Sequence, residues 1–446
     1  MQIATTPTIE MLPVGTLKPY ARNARTHSKK QLNQIADSIT RFGFTNPVLV
    51  SDDLEIIAGH GRVAAAQSLG FATVPTIRLS HLSADERRAY VLADNKLAEN
   101  AGWDTEILSI ELQALIDLDF DLELTGFSLA EIDLTLEQGK SAPVNDAANA
   151  LPEPAGQAVS RLGDIWDLGE HRLLCGDSRS PDDVAKLMAG DVADLIFTDP
   201  PYNVEIDGNV GGLGSIHHRD FAFASGEMSS DQFTDFLRQT LGNAAVVAKD
   251  GAIAFVCMDW RHMRELQDAG EAVFTELKNL CVWNKTNGGM GTFYRSKHEL
   301  IFVFKIGTLP HANSFGLGET GRYRTNVWDY AGVSSLGAER GETLAMHPTV
   351  KPVALVADAI MDCSRRNEIV LDIFGGSGST LIAAEGAGRR SRLIEFDALY
   401  CDTIIRRWQT FTGKLARLHG GKQTFEDVTA ERQVSSGSKL TGPKRK

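Results

Sequence analysis

The residues best placed to do chemistry in this 446-residue chain are Asp199, Pro200, Pro201, Tyr202 and Asn203, which follow the apolar run ending at Thr198. The run reads as a buried strand that stops abruptly and delivers an acid, two prolines and an aromatic into a loop. Two consecutive prolines fix two φ angles and remove two N–H donors, leaving outward carbonyls with no ladder partner. A carboxylate and a free carbonyl both accept hydrogen bonds, and the tyrosine ring is a flat stacking surface. The set suits a planar ligand carrying an exocyclic amino group, and an extruded nucleobase is such a ligand.

A second signal runs from Val370 to Thr380, with Asp372, Ile373, Phe374, Gly375, Gly376, Ser377 and Gly378 in sequence. An apolar strand, a glycine turn and an Ala-rich helix bring backbone close to a nucleotide-like ligand. About twenty residues on, Glu395 ends the next strand, placed to accept from ribose hydroxyls. The turn lacks the Gly-Lys-[Ser/Thr] of a P-loop and holds nothing basic, while Asp372 at its start suits a sulfonium or ammonium better than a pyrophosphate. S-adenosylmethionine carries both cations. A dinucleotide dehydrogenase is the runner-up from this loop alone, but it leaves Asp199–Tyr202 without a role.

These loops need strands to carry them. From Asp164 onward strand and helix signals alternate: a hairpin over Ile165–Leu168 and Arg172–Cys175, then strands at Ala252–Met258, Asn279–Trp283, Glu299–Phe304, Glu368–Ile373 and Arg392–Phe396. Helices at Ser230–Val247 and Pro352–Cys363 complete a doubly wound α/β sheet, Rossmann-like, whose ligands bind beyond the strand carboxyl ends. The glycine-rich loop 203–225 reads as a mobile flap. Its His217-His218 pair has no carboxylate or Cys at ligand spacing, so no metal is expected.

The N-terminal third reads as a small α+β domain over 8–82. It has a helix behind Ser28, a hairpin across Ser51–Asp53, a Gly59-His60-Gly61-Arg62 turn opening a helix, and a strand at Val74–Leu79. The Gly-x-Gly turn with Arg62 is a candidate anion site. Residues 83–136 read as a helical extension. Its acidic residues (Glu106, Glu111, Asp117, Asp121) bind phosphate poorly, favouring packing helices over a helix-turn-helix. Residues 137–160 read as a linker, 161–415 as the catalytic domain, and 416–446 as a flexible tail with a basic end.

Bulk properties set limits. The formal charge of −13 argues against nucleic-acid binding by the whole surface but not by a local groove. No membrane segment or signal peptide is expected, and five scattered cysteines fit reduced thiols in a cytoplasm.

With these motifs in order, residues 160–412 resemble the amino-group (N6-adenine/N4-cytosine) DNA methyltransferases of the β arrangement, in which the catalytic motif precedes the cofactor loop. The resemblance implies that Asp199–Tyr202 hold the target base, that Asp372, Phe374, Gly375, Gly376, Gly378 and Glu395 hold S-adenosylmethionine, and that His347 and Lys351 reach its methionine end. It places Asn203, Trp283, Lys285 and Tyr294 beside the catalytic loop as contacts to the substrate DNA. Arg322 and Arg324, in the basic–aromatic cluster where the family keeps target recognition, would contact double-stranded DNA. The stretch from Leu17 through Arg62 resembles a ParB/sulfiredoxin-like domain, with Arg62 as its nucleotide or DNA contact, and Leu92–Asn100 is similar to the continuation in phage-type fusions. Adenine N6 is preferred over cytosine N4 because position 199 is Asp rather than Ser. A non-catalytic partition or scaffold protein is the reading from another class. A homodimer and a nucleotide at the N-terminal domain stay open as further partners.

Overall fold

The computed structural model describes residues 8–118, 120–138, 148–152, 157–204, 226–285, 294–315, 324–332 and 350–437. The chain divides into two compact units, Met1–Ser141 and Ala142–Lys446.

The first unit holds a four-stranded sheet of β1 (Ile9–Pro13), β2 (Val48–Val50), β3 (Ile56–Ala58) and β4 (Thr73–Arg78), in the order β1-β4-β2-β3. Helix α1 (Lys29–Phe42) starts where the Ser28 side chain accepts from Gln31 N. Helix α2 (His60–Ser68) starts three residues earlier than the apolar pattern at Val63 suggests, because Gly59 turns the chain at φ +99°, a left-handed value that favours glycine. Val48, Val50, Ile56, Val63, Ala66 and Val74 close the core between them. Helices α3 (Ala84–Glu99), α4 (Thr105–Asp117) and α5 (Leu129–Gln138) follow. A separate small core of Leu112, Leu122, Ile132 and Leu136 joins the last two.

The second unit is a ten-stranded sheet: β5 (Ile165–Leu168), β6 (His171–Cys175), β7 (Ala193–Thr198), β8 (Ala248–Met258), β9 (Glu276–Asn284), β10 (His298–Lys305), β11 (Val327–Asp329), β12 (Ile369–Asp372), β13 (Arg390–Glu395) and β14 (Arg417–Leu418). The order is β11-β9-β10-β8-β7-β12-β13-β6-β5-β14, with β6, β13, β12, β7 and β8 mutually parallel. Period-2 alternation sends neighbouring residues to opposite faces. Leu173, Leu195, Val370 and Leu393 join one core with α9 (Val353–Cys363), α10 (Ser379–Ala387) and α11 (Ala398–Thr412). Leu174, Ile196, Leu371 and Ile394 join the other, with α6 (Pro181–Met188), α7 (Ser230–Val246) and α8 (Met263–Val273). The result is the expected three-layer α/β sheet.

Two expected boundaries are corrected. The segment from 416 is no flexible tail: β14 pairs with β5, and helix α12 (Phe425–Gly437) buries Phe425 and Val428 in the core. Phe425 meets Trp166 edge-on at 5.3 Å. Residues 438–446, with the basic end, lie outside the described residues. The second half of the expected linker also docks. The buried Asp402 carboxylate accepts from Val159 N at 2.6 Å and Ser160 N at 2.9 Å, and Arg407 donates to the Ala148 carbonyl. An Ala/Pro-rich composition hid this because the anchoring groups are backbone amides and carbonyls.

Candidate active site

Parallel strands present their carboxyl ends along one edge, and between β7 and β12 the direction of winding reverses. β8 lies beyond β7, and β13 lies beyond β12 on the other side. A crevice opens at such a switch point. Asp199 leaves β7 and the glycine turn leaves β12 into this crevice. Thr198 Oγ1 donates to Asp372 Oδ1 at 2.9 Å, tying together loops far apart in sequence.

The turn is built for close approach. Gly378 has φ +82°, and a Cβ there would lie 3.1 Å from Ile404 of α11. Gly376 N donates to one Glu395 oxygen and Asp397 N to the other, each at 2.8 Å. These bonds fix the carboxylate against the turn. Burial pushes the carboxyls of both Glu395 and Asp372 up to about 7, against the hydrogen bonds they accept. Two acids half-protonated at neutral pH would be relieved by a ligand bringing hydroxyl donors and positive charge. S-adenosylmethionine brings both, so the residues present fit it. Phe374 packs on Phe236 at 5.9 Å as one wall of the turn. His347 lies outside the described residues.

A prediction follows from the protonation of these acids. Cofactor binding that requires both charged should tighten as pH rises through about 7, and Glu395→Ala should weaken it roughly 10- to 100-fold. Isothermal titration at pH 6 and pH 8 reads both. Equal affinity at the two values would sink the assignment.

Around Asp199 the side chains form one ionic cluster. Tyr202 Oη donates to Asp199 Oδ1 at 2.6 Å and lies 3.2 Å from Glu299 Oε2. Lys351 Nζ reaches Asp199 Oδ2 at 2.6 Å and Glu299 Oε2 at 3.0 Å, and Lys285 pairs with the other Glu299 oxygen. Burial raises Asp199 while Lys351 pulls the other way, and the balance stays above the usual carboxylate range. Burial also opposes the charge on Glu299, but Lys351 and Lys285 outweigh it and bring that carboxyl down to about 2. Among the described residues no donor reaches the Pro200 carbonyl, which fits the expectation that the double proline leaves an acceptor free. Pro201 follows and keeps a second N–H out of the loop.

Several expected contacts have other work. Asn203 is buried: its amide donates to Met228 O and accepts from Gly226 N and Met228 N, clamping the two ends of the 205–225 loop. It shapes the loop base instead of meeting DNA; the expected flap itself lies outside the described residues. Trp283 is a buried wall whose indole donates to Tyr330 O, with Lys285 4.6 Å over its ring. Lys285 serves Glu299 instead of a phosphate. Arg324 lies under the surface, bonded to Asp362 at 2.8 Å and Asp358 at 3.1 Å and stacked on Trp328. The basic–aromatic cluster is therefore, at Arg324 and Trp328, a surface strand with one buried tryptophan: β11 adds to the sheet edge beside β9. Arg322 lies outside the described residues. Tyr294 is 83% exposed next to β10, the one expected DNA contact of the second unit that is both described and on the surface. In the first unit, Arg62 donates to the carbonyls of Asn46 and Pro47, which turns its guanidinium to backbone. It still lines a cavity of about 180 Å³ with Arg25, His27, His60 and Asp94.

The sequence reading passed over two residues. Glu299 entered only as the start of the strand Glu299–Phe304; its signal was an acid at the head of an apolar strand, a costly place unless paired. Asp177 comes two residues after the strand end at Cys175. The Gly176 N to Glu395 O bond sets it beside Glu395, and it holds Arg179 in a bidentate pair.

Parts of the chain match three known families. Residues 193–406 match the DNA methylase family of N6/N4 type, residues 2–96 the ParB N-terminal domain, and residues 106–162 the ParB-methyltransferase HTH domain. Residues 193–406 thus carry a DNA methylase domain of the N6/N4 family, which depends on S-adenosylmethionine, and residues 2–96 a ParB N-terminal domain. The helix-turn-helix match takes in residues 106–136 of the extension read above as packing helices, despite their acidic surface, and the linker after them. Among relatives, the ParB-like nuclease domain-containing protein YnaK of Escherichia coli is 53% identical over 76 residues, 17% of this chain and 87% of that protein. The type II methyltransferase M.HinfI of Haemophilus influenzae is 25% identical over 50% of this chain and 64% of its own length. The cytosine-N4-specific PvuII DNA methyltransferase structure covers 63% of this chain and 94% of that one, at 14% identity and a TM-score of 0.41. Among the described residues no helix is long and apolar enough to cross a membrane, and no group of His, Cys, Asp or Glu could hold a metal ion.

Proposed function

We propose that this protein methylates the N6 amino group of adenine in double-stranded DNA. The observation that carries the reading is the junction of Asp199 and the glycine turn at one switch point. A carboxylate, a free Pro200 carbonyl and an aromatic ring there meet a turn suited to S-adenosylmethionine. The cofactor, when bound, supplies an electrophilic methyl group. The protein's task is to make a weak nucleophile reactive, since the amino lone pair is delocalised into the base. Asp199 and the Pro200 carbonyl each accept one amino hydrogen and draw the nitrogen toward sp³ character. Tyr202, tethered through its hydroxyl, offers its ring to the extruded base. Transfer would break the sulfur–carbon bond, leave a neutral thioether and cost the nitrogen one proton, which Asp199 is placed to take, since burial makes it a better acceptor than an exposed carboxylate. Most of the acceleration is positioning and electrostatics. Asp at 199 supports adenine over cytosine N4, which the same geometry could serve. DNA from expressing cells, digested to nucleosides and weighed by mass spectrometry, tests this: N6-methyladenine is expected, and N4-methylcytosine alone would transfer the reading to cytosine.

The domain assignment proposed is a ParB-type domain over 8–82, a helical extension over 83–136, and a catalytic unit from the docked residues near 148 through 437. The cavity beside Arg62 is a candidate nucleotide site, supported by two arginines, two histidines and a helix N-terminus around one hollow. Binding of radiolabelled nucleoside triphosphate, lost in Arg25→Ala, tests it.

A further inference from the structure

Both oxygens of Asp199 are already occupied. Oδ1 takes the Tyr202 hydroxyl at 2.6 Å, and Oδ2 takes the Lys351 ammonium at 2.6 Å. One lone pair on each oxygen is therefore taken, and an incoming amino group must share the carboxylate with Lys351 or displace it. Lys351 is itself an amine with N–H donors, so it stands where a substrate amine must donate. Its side chain is only 4% exposed, so water cannot take it over if Asp199 lets go. A second carboxylate is at hand. Glu299, 7% exposed, lies 3.0 Å from the same nitrogen, and is anchored from behind by Lys285.

We propose that Lys351 is a positioning residue of methyl transfer: it fills the acceptor face of Asp199 in the resting enzyme, and Glu299 takes the ammonium over when the target amino group arrives. The inference rests on the methyltransferase reading above and replaces the role of Lys351 as a contact to the cofactor. A buried lysine between two carboxylates can shift its weight from one to the other with little movement and no exposure of charge. The handover also keeps positive charge near Asp199 at every stage, so the carboxylate stays an acceptor until it takes the amino proton. Among the described residues, the groups facing Asp199 are Lys351 and Tyr202 from the adjoining loops, Glu299 from β10, Cys257 from β8 and Asp372 from β12. Among these only Lys351 is cationic, so its removal must let the Asp199 carboxyl rise further.

The test uses the full chain, with single-turnover methylation measured across pH 5 to 9 and equilibrium S-adenosylmethionine binding measured in parallel. Lys351→Met is expected to lower the rate at least about 30-fold and move the acid limb of the profile at least about one unit to higher pH, with cofactor affinity within about threefold of wild type. Lys351→Arg should restore the position of the limb. Glu299→Gln removes a like charge and leaves the ammonium on Asp199 alone, so its limb should move the opposite way, to lower pH. Opposite shifts in two variants are a result that general loosening of the fold does not give. If Lys351→Met fails to fold, the direction of the Glu299→Gln limb decides. Cofactor affinity falling as far as the rate, or limbs that stay put in an active enzyme, would overturn the proposal. A wild type that methylates no DNA would overturn the parent reading along with it.

Discussion

Asp199→Ala should reduce methyl transfer by at least about 10³-fold while S-adenosylmethionine still binds with near wild-type affinity. The size follows from what the side chain does. It is the one carboxylate in the described stretch 199–204 after β7, it accepts from the target amino group at the moment the nitrogen rehybridises, and it takes the departing proton. Removing it leaves the Pro200 carbonyl as the one remaining acceptor, and a single neutral acceptor cannot localise the lone pair or receive a proton. The selectivity follows from the sheet. The turn, Glu395 and Asp372 hang on β12 and β13, and their hydrogen bonds to Gly376, Asp397 and Phe374 do not pass through Asp199. Lys351 keeps Glu299 as a partner, so the cluster does not leave a charge stranded. Tritiated-methyl incorporation with titration calorimetry measures both halves. Incorporation near wild type would remove Asp199 from the chemistry altogether.

The second large effect is on stability. Arg324→Ala should destabilise the catalytic unit by about 3–5 kcal/mol, because it removes the guanidinium that pairs with two carboxylates, Asp362 nearly buried and Asp358 partly so. For a unit of this size that corresponds to a fall in Tm on the order of 10 °C. Tyr330, which also bonds Asp358, and Trp328, whose ring lies under the guanidinium, would lose their common support. Adding Asp362→Asn should recover part of the loss, since the buried charge no longer balanced by the guanidinium is a main part of the cost. Thermal unfolding of the single and double variants checks this. A variant with wild-type Tm and weakened DNA binding would restore Arg324 to the surface role suggested by its neighbours in sequence.

Arg324 illustrates where sequence reading reached its limit. The strands were legible because their faces alternate, as at Leu173/Leu174 and Leu195/Ile196, and the loops were legible because acids, prolines and glycines follow them at once. The site residues on those loops, Asp199, Asp372, the glycines and Glu395, came together where the strand order implied. Partnership was not legible. An arginine between aromatics looks the same whether it faces phosphate or two aspartates that arrive 34 and 38 residues later from α9. Asn203 looked like a substrate contact for the same reason: its partners, Gly226 and Met228, lie beyond a loop whose closure no local pattern reports. The order from 416 to 437 was missed because α12 is short of apolar residues; two of them, Phe425 and Val428, hold it down.

The clasp between the two ends of the catalytic unit has a consequence for how such a chain could be rewired. Arg432 of α12 donates to the Val159 carbonyl and pairs with Asp164, so the segment that enters the sheet and the helix that leaves it touch. Joining those ends with a short tether and opening the backbone at the exposed turn near Trp260 would give a circular permutant. In it the glycine turn would precede Asp199 along the chain, while every strand kept its neighbours. Motif order would then be a property of where the polypeptide is cut, and the catalytic crevice, set by β7 lying against β12, would be indifferent to it.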